Sequence, residues 1–187
     1  MLPSPAMTRT YSLLDSGGGL RLEQFGVKTV IRPSSLAIWK PRNPELWRTA
    51  AATYDHDAGW TFAHQQFKEW EVAIGAVKLT LRLQRNGQVG FFPDHTLYLD
   101  ELVTAVKKIA KKNSRPPNML NLFAYTGMAS IVAMHAGAQV THLDILKPAL
   151  DWARVNAERN NLPSNALRLI PDDALTFMER EIKRGKH

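Results

Sequence analysis

NLFAYTGMAS, residues 121–130, joins an apolar run to an Ala-rich one through a single glycine, Gly127. The run before it, MLNLFAY (119–125), reads as a short buried strand, and the run after it, MASIVAMHAGA (128–138), reads as a helix. The pattern then repeats. QVTHLDI (139–145) is strand-like, PALDWARVNAERNN (148–161) helical, ALRLIP (166–171) strand-like and DALTFMEREIKR (173–184) helical. Pro148 near a helix start and Pro163 just past its end punctuate the series as expected. Short strands alternating with helices predict right-handed crossovers and a parallel sheet.

Working outward, residues 97–115 carry Leu99, Leu102, Val103, Val106, Ile109 and Ala110 on one helical stripe, with lysines opposite and Pro116-Pro117 as the stop. Before Leu97 the period shortens. YSLLDSGGGLRLEQFGVKTVIRP predicts strands joined at Gly17-Gly18-Gly19 and broken at Phe25-Gly26. A short helix is expected near Leu46–Ala52. In VKLTLRLQ, Val77, Leu79, Leu81 and Leu83 face one way and Lys78, Thr80, Arg82 and Gln84 the other, with Arg85-Asn86-Gly87 as a turn. The expected organisation is a small, mostly β module at 1–96 and an α/β domain at 97–187. No internal repeat or low-complexity tract interrupts either.

Composition narrows the function classes. The 187 residues, 44% of them apolar, suffice for a real core and argue against wholesale disorder. The most apolar window, Asn118 to Leu143, is broken by Asn121, Thr126, Gly127, His135 and Gln139, so no membrane span is predicted. The N-terminus lacks an apolar signal core, and a cytoplasmic protein is the default expectation. Without cysteine there is no disulfide, thiolate metal site or cysteine nucleophile in the chain. Asp55-His56-Asp57 is a surface cluster and no metal site is assigned. The net charge of +7 gathers at Lys107, Lys108, Lys111, Lys112 and Arg115 and at Lys183, Arg184 and Lys186. Polyanions, nucleic acid first, are the partners such a surface attracts; lysines that only complement a helix dipole are the plainer alternative.

In an open parallel sheet the ligand lies beyond the carboxyl ends of the strands. Residues 124–128, 144–147 and 172–174 occupy those ends. The first offers backbone N–H groups beside Gly127, and the second offers Asp144, 17 residues after that glycine, where a ribose-binding carboxylate is expected. The third offers Asp172-Asp173. Taken singly, Gly127 can be a turn, and Asp144, Asp172 or Asp173 a helix N-cap. Together they favour a nucleoside cofactor. A dinucleotide needs G-x-G-x-x-G and a P-loop needs G-x-x-x-x-G-K-[ST]; neither is present. A cofactor without phosphate, S-adenosylmethionine, fits one glycine and two carboxylates.

NLFAYTG, a second strand ending in Asp144, and DDA (172–174) together resemble class I S-adenosylmethionine-dependent methyltransferases. The spelling is similar to the ribosomal RNA large-subunit group that includes cytosine-C5 enzymes. YSLLDSGGGLRLEQFG, IRPSSLAIW and VGFFPDH extend the likeness over most of residues 11–182. The resemblance implies a Rossmann-like cofactor sheet preceded by a β-rich module that presents RNA. It places Tyr125, Thr126 and Gly127 at the methionine end, Asp144 at the ribose and Asp173 at the adenine. Asp94 and His95 would lie near the cofactor at the domain junction. Relatives continue into a fourth strand with an Asp-Pro-Pro motif and the catalytic residues, whereas this sequence ends at EIKRGKH. The sheet is therefore expected to be incomplete and no catalytic residue is assigned. A non-catalytic RNA- or protein-binding module is the alternative function.

Overall fold

In the computed structural model, which describes residues 10–185, contacts divide the chain between Gly90 and Phe91 into two compact units. The first holds a five-stranded sheet in sequential order: β1 (Tyr11–Gly17), β2 (Leu20–Phe25), β3 (Lys28–Pro33), β4 (Ala52–Asp55) and β5 (Gly59–Phe62). Neighbours are antiparallel except β3 and β4, which run parallel. A separate hairpin pairs β6 (Glu69–Ile74) with β7 (Val77–Arg82). Leu22, Phe25, Val30, Leu79 and Leu81 are fully buried in this unit.

Two local expectations change. The stretch near Leu46–Ala52 forms a 3-10 turn over Pro44–Thr49, and the chain is already strand by Ala52. Asp15 gathers that segment: its carboxylate accepts from the backbone N–H groups of Ser16, Arg42 and Asn43 and from the Trp47 indole. Trp47, then Asn43, hold its pKa down at about 2. Ala51 N–H then donates to Thr29 O at 2.7 Å, committing the chain to the sheet before a helix can propagate. Thr80, expected to face outward, is buried alongside Val77, Leu79 and Leu81, whereas Lys78 on the same face of β7 stays exposed. The turn at Arg85-Asn86-Gly87 is present, with Gly87 at φ +77°. A Cβ there would fall 2.6 Å from the Tyr54 ring.

A buried ion pair ties this unit together. Arg32 donates through Nε to Glu23 Oε2 at 2.7 Å and through a second nitrogen to Glu23 Oε1 at 2.9 Å. Its third donor reaches Gly87 O at 3.1 Å. Tyr11 donates its hydroxyl to Glu23, and burial, then the Glu23 charge, raise the phenol above its ordinary range.

The second unit is the α/β domain. A parallel sheet has the order β10 (Leu167–Pro171), β9 (Gln139–Asp144), β8 (Asn118–Leu122). Helices α1 (Leu99–Asn113), α2 (Met128–His135), α3 (Lys147–Arg159) and α4 (Ala174–Lys183) accompany it. A short 3-10 turn, Pro93–Tyr98, leads into α1. Helix α2 lacks an amphipathic face because Met128 and Ser130 through Met134 are all buried. One core cluster joins Val106 of α1 to Ala133, Met134, Ala138 and Val140. A second joins Leu143, Ala174 and Phe177. Ile109, at the far end of the predicted stripe, stays 45% exposed, so α1 packs mainly through its first half. Strand β8 forms one edge of the sheet, with Leu120 on it and Phe123 just past its end exposed. Among the described residues no helix is long and apolar enough to cross a membrane.

Glu23→Gln leaves the buried Arg32 guanidinium without its counter-charge, and a loss of about 3–5 kcal/mol is expected from urea unfolding. The double change Glu23→Gln/Arg32→Met should recover much of it. Equal stability of the single variant and the unmodified chain contradicts the pairing.

Candidate functional site

The carboxyl ends of β8, β9 and β10 form one rim, because parallel strands in register end together: Leu122 lies beside Leu143 and Asp144 beside Pro171. The turn from β8 into α2 supplies its first part. Phe123 and Tyr125 hold positive φ (55° and 53°) and Gly127 follows at 94°. Two non-glycine residues in this region carry local strain of order 1–3 kcal/mol each. Something must hold them there.

Four residues do so through the backbone. Ala124 N–H donates to Leu143 O at 3.0 Å, continuing the ladder past the end of β8. Tyr125 N–H donates to Asp144 Oδ2 at 2.8 Å. Tyr125 O lies 3.1 Å from His142 Nε2, and Thr126 O accepts from Asn156 Nδ2 at 3.0 Å. His142, Asn156 and Thr126 are buried. Gly127 packs against α3: a Cβ on it would sit 3.1 Å from Ala153 Cβ and 3.6 Å from His142 Cε1. A side chain at this position meets both strain and crowding.

Asp144 is a clamp as well as a rim residue. Its other oxygen, Oδ1, accepts from Leu146 N–H at 2.9 Å, while the N-cap position of α3 is Leu146 itself, so Asp144 is not that helix's cap. A carboxylate has about four lone-pair sites, so two remain for a ligand. Beyond it Ile145 and Leu146 are 67% and 58% exposed, an apolar surface beside a charged group. Asp172 N–H donates to Asp144 O at 3.2 Å, which carries the rim to β10. Asp172 forms an ion pair with Arg180. Asp173 is the N-cap of α4: its side chain accepts from Thr176 N–H at 2.9 Å, and this bond lowers its pKa.

A hollow of about 190 Å³ opens against the first turn, lined by Phe91, Phe92, His95, Phe123, Tyr125 and Gly127 among others. Phe92 stacks obliquely between His95 and Tyr125, with ring centroids 5.4 and 5.3 Å apart, and Tyr125 in turn meets Trp152 at 6.3 Å. Of the seven residues singled out from sequence, Tyr125, Thr126, Gly127 and His95 line the hollow, and Asp144 joins them through its bond to the Tyr125 amide while lying outside the lining. Asp94 is exposed and lies outside its lining; Asp173 lies one residue beyond the end of β10 on the same rim. Sequence reasoning missed Asn121, Ser130, His142, Asn156 and Trp152. The available signal was polar residues set inside otherwise apolar runs, notably Ser130 in MASIVAM and His142 in QVTHLDI.

Comparison with known proteins places this rim in context. Over 103 residues, 54% of this chain, the sequence is 35% identical to a ribosomal RNA large subunit methyltransferase K/L from Shewanella loihica. Over 111 residues, 59% of this chain, it is 32% identical to a ribosomal RNA large subunit methyltransferase I from Photobacterium profundum. The chain spans 13% and 26% of those relatives' lengths. A solved SAM-dependent methyltransferase from Agrobacterium tumefaciens superposes with a TM-score of 0.87 at 38% identity, covering 94% of this chain and 56% of that one. No family model matches the chain. The α/β architecture is thus shared with a solved SAM-dependent methyltransferase.

Burial pushes the His142 imidazole down to about 4, against the opposing pull of Tyr125 O and Asp144. In the unfolded chain the same group titrates near 6.5. A depressed folded value stabilises the fold fully above the unfolded value, and the contribution is lost as pH falls from 6.5 towards 4. The loss sums to roughly 3 kcal/mol over that window. Urea midpoints should therefore drop between pH 6.5 and 4.5 by clearly more in the unmodified chain than in His142→Gln. Parallel curves contradict this assignment.

Proposed function

We propose that this chain binds S-adenosylmethionine at the rim built from Tyr125, Thr126, Gly127 and Asp144, and that it forms the cofactor-binding part of a methyltransferase acting on ribosomal RNA. The observation that carries the proposal is the Asp144 clamp: one carboxylate fixes the Tyr125 amide and keeps acceptor capacity beside an exposed apolar pair, Ile145 and Leu146. The ligand this suits has vicinal hydroxyls next to a flat apolar ring, which describes adenosine. Gly127, at positive φ and packed against Ala153 with no room for a side chain, keeps the turn in the form that receives the amino-acid end. Asp173 offers its unused lone pairs to the adenine amino group, and in the same reading Asp94 and His95 lie near the cofactor. When bound, the cofactor supplies an electrophilic methyl group on sulfonium sulfur.

The RNA part of the proposal rests on charge and on the named relatives. Lys107, Lys108, Lys111, Lys112 and Arg115 are exposed, and none of them forms an ion pair among the described residues. Lys111 and Lys112 also complement the C-terminus of α1. The two relatives quoted are named for large-subunit ribosomal RNA, which supports an RNA substrate and, with it, a cytoplasmic protein. In this reading the β-rich unit, expected at 1–96, is the substrate-side module and the α/β unit, expected at 97–187, the cofactor domain, with the boundary between them set after Gly90.

Isothermal calorimetry with S-adenosylhomocysteine tests the cofactor site. Saturable one-to-one binding is expected, weakened about tenfold or more in Asp144→Asn, since an acceptor to the ribose and the clamp on Tyr125 are both impaired. A folded chain that gives no saturable heat overturns the proposal.

A further inference from the structure

Beneath the rim, the middle of the sheet holds a polar chain that the cofactor contacts do not use. His142 lies at the centre of β9, the central strand, and is fully buried. Its register partner on β8 is Asn121. Ser130, also fully buried, faces them from α2. A polar group in such a layer is costly unless each donor and acceptor is matched, and here the matching has only one sense. Tyr125 O can only accept, so His142 Nε2 carries the hydrogen and donates to it at 3.1 Å. Nδ1 is then bare and accepts from the Ser130 hydroxyl at 2.9 Å. Ser130 Oγ in turn accepts from Asn121 Nδ2 at 2.9 Å. Hydrogen bonds run in one direction from β8 through α2 and β9 to the carbonyl of a residue with positive φ.

We propose that His142 is a positioning residue for the cofactor turn: the Asn121–Ser130–His142 relay pins the Tyr125 carbonyl and so keeps the Tyr125-to-Gly127 backbone in the form that accepts the cofactor. This rests on the cofactor reading above. Asp144 holds the amide of Tyr125 and His142 holds its carbonyl, so both flanking peptide planes are fixed. With that bond gone, the peptide plane after Tyr125 loses one of its restraints, and the strained φ loses an interaction that opposes relaxation. A histidine suits the task because a rigid ring spans from helix to turn and offers an acceptor and a donor at opposite sides. An aliphatic residue fills the space and does neither.

The test compares His142→Gln, His142→Leu and Ser130→Ala in the full chain. The Gln amide can still donate to Tyr125 O, whereas Leu cannot, and Ser130→Ala removes the donor to Nδ1 while leaving the ring. Phe177→Leu, a core change in α4, serves as a control for stability alone. Calorimetry with S-adenosylhomocysteine should show a loss of tenfold or more in His142→Leu, a loss of about threefold in Ser130→Ala, and near-unmodified affinity in His142→Gln and Phe177→Leu. Nitrogen-15 NMR of the unmodified chain at neutral pH should show a neutral imidazole protonated at Nε2. Hydrogen exchange at Gly127 should quicken in His142→Leu and Ser130→Ala. If His142→Leu does not fold, Ser130→Ala and the imidazole tautomer decide. Equal affinity in every folded variant, or a ring protonated at Nδ1, overturns the role of His142. No binding by the unmodified chain overturns the cofactor reading beneath it.

Discussion

The hydrogen bond from Tyr125 N–H to Asp144 Oδ2, at 2.8 Å, is the constraint on which the α/β unit's rim depends. It links the turn after the first parallel strand to the end of the second. It requires that β8 and β9 run parallel, in register, and end together. It also requires backbone in a region that non-glycine residues avoid, so it is supported by three neighbours on two elements: His142 and the Leu143 carbonyl on β9, and Asn156 on α3. Holding the Ala124, Tyr125 and Thr126 backbone from the protein side leaves the turn preorganised. Binding then costs little ordering of the loop.

Much of this was legible before any coordinates. The alternation of short strands and helices from residue 118 onward marks the parallel sheet, and Gly127 and Asp144 mark its rim, because those positions are dictated by backbone geometry and strand polarity. Less legible were the residues that work from inside. Ser130 and His142 read as interruptions of apolar runs, and nothing in a one-dimensional pattern says that Asn121 will lie beside His142. Register supplies that fact. Asp173 illustrates a different ambiguity: one carboxylate can cap a helix and still have lone pairs free, so spacing alone does not separate the two roles. The short segment after Asn43 departs from expectation for a third reason, since Asp15, about thirty residues upstream, accepts from the Arg42 and Asn43 amides before it and from the Trp47 indole within it.

The β-rich unit follows different logic. Its strands are tied by one bidentate ion pair, Arg32 with Glu23, whose remaining donor closes the Gly87 turn. Such a pair specifies an arrangement more than it adds stability, because desolvation offsets most of the attraction. Its sequence signature is faint: an arginine and a glutamate at inward positions of adjacent strands look like ordinary surface charge until Glu23 is found beside Val30 and Arg32 beside Arg21 in the ladder.

The central claim is that an adenosyl ligand settles on the Tyr125–Asp144 clamp. Its most direct test is a proton–nitrogen NMR titration of the labelled chain with S-adenosylhomocysteine. The account predicts progressive shifts at the amides of Tyr125, Gly127, Ile145 and Leu146, saturating together with one affinity. Saturating shifts that spare all four of these amides contradict it.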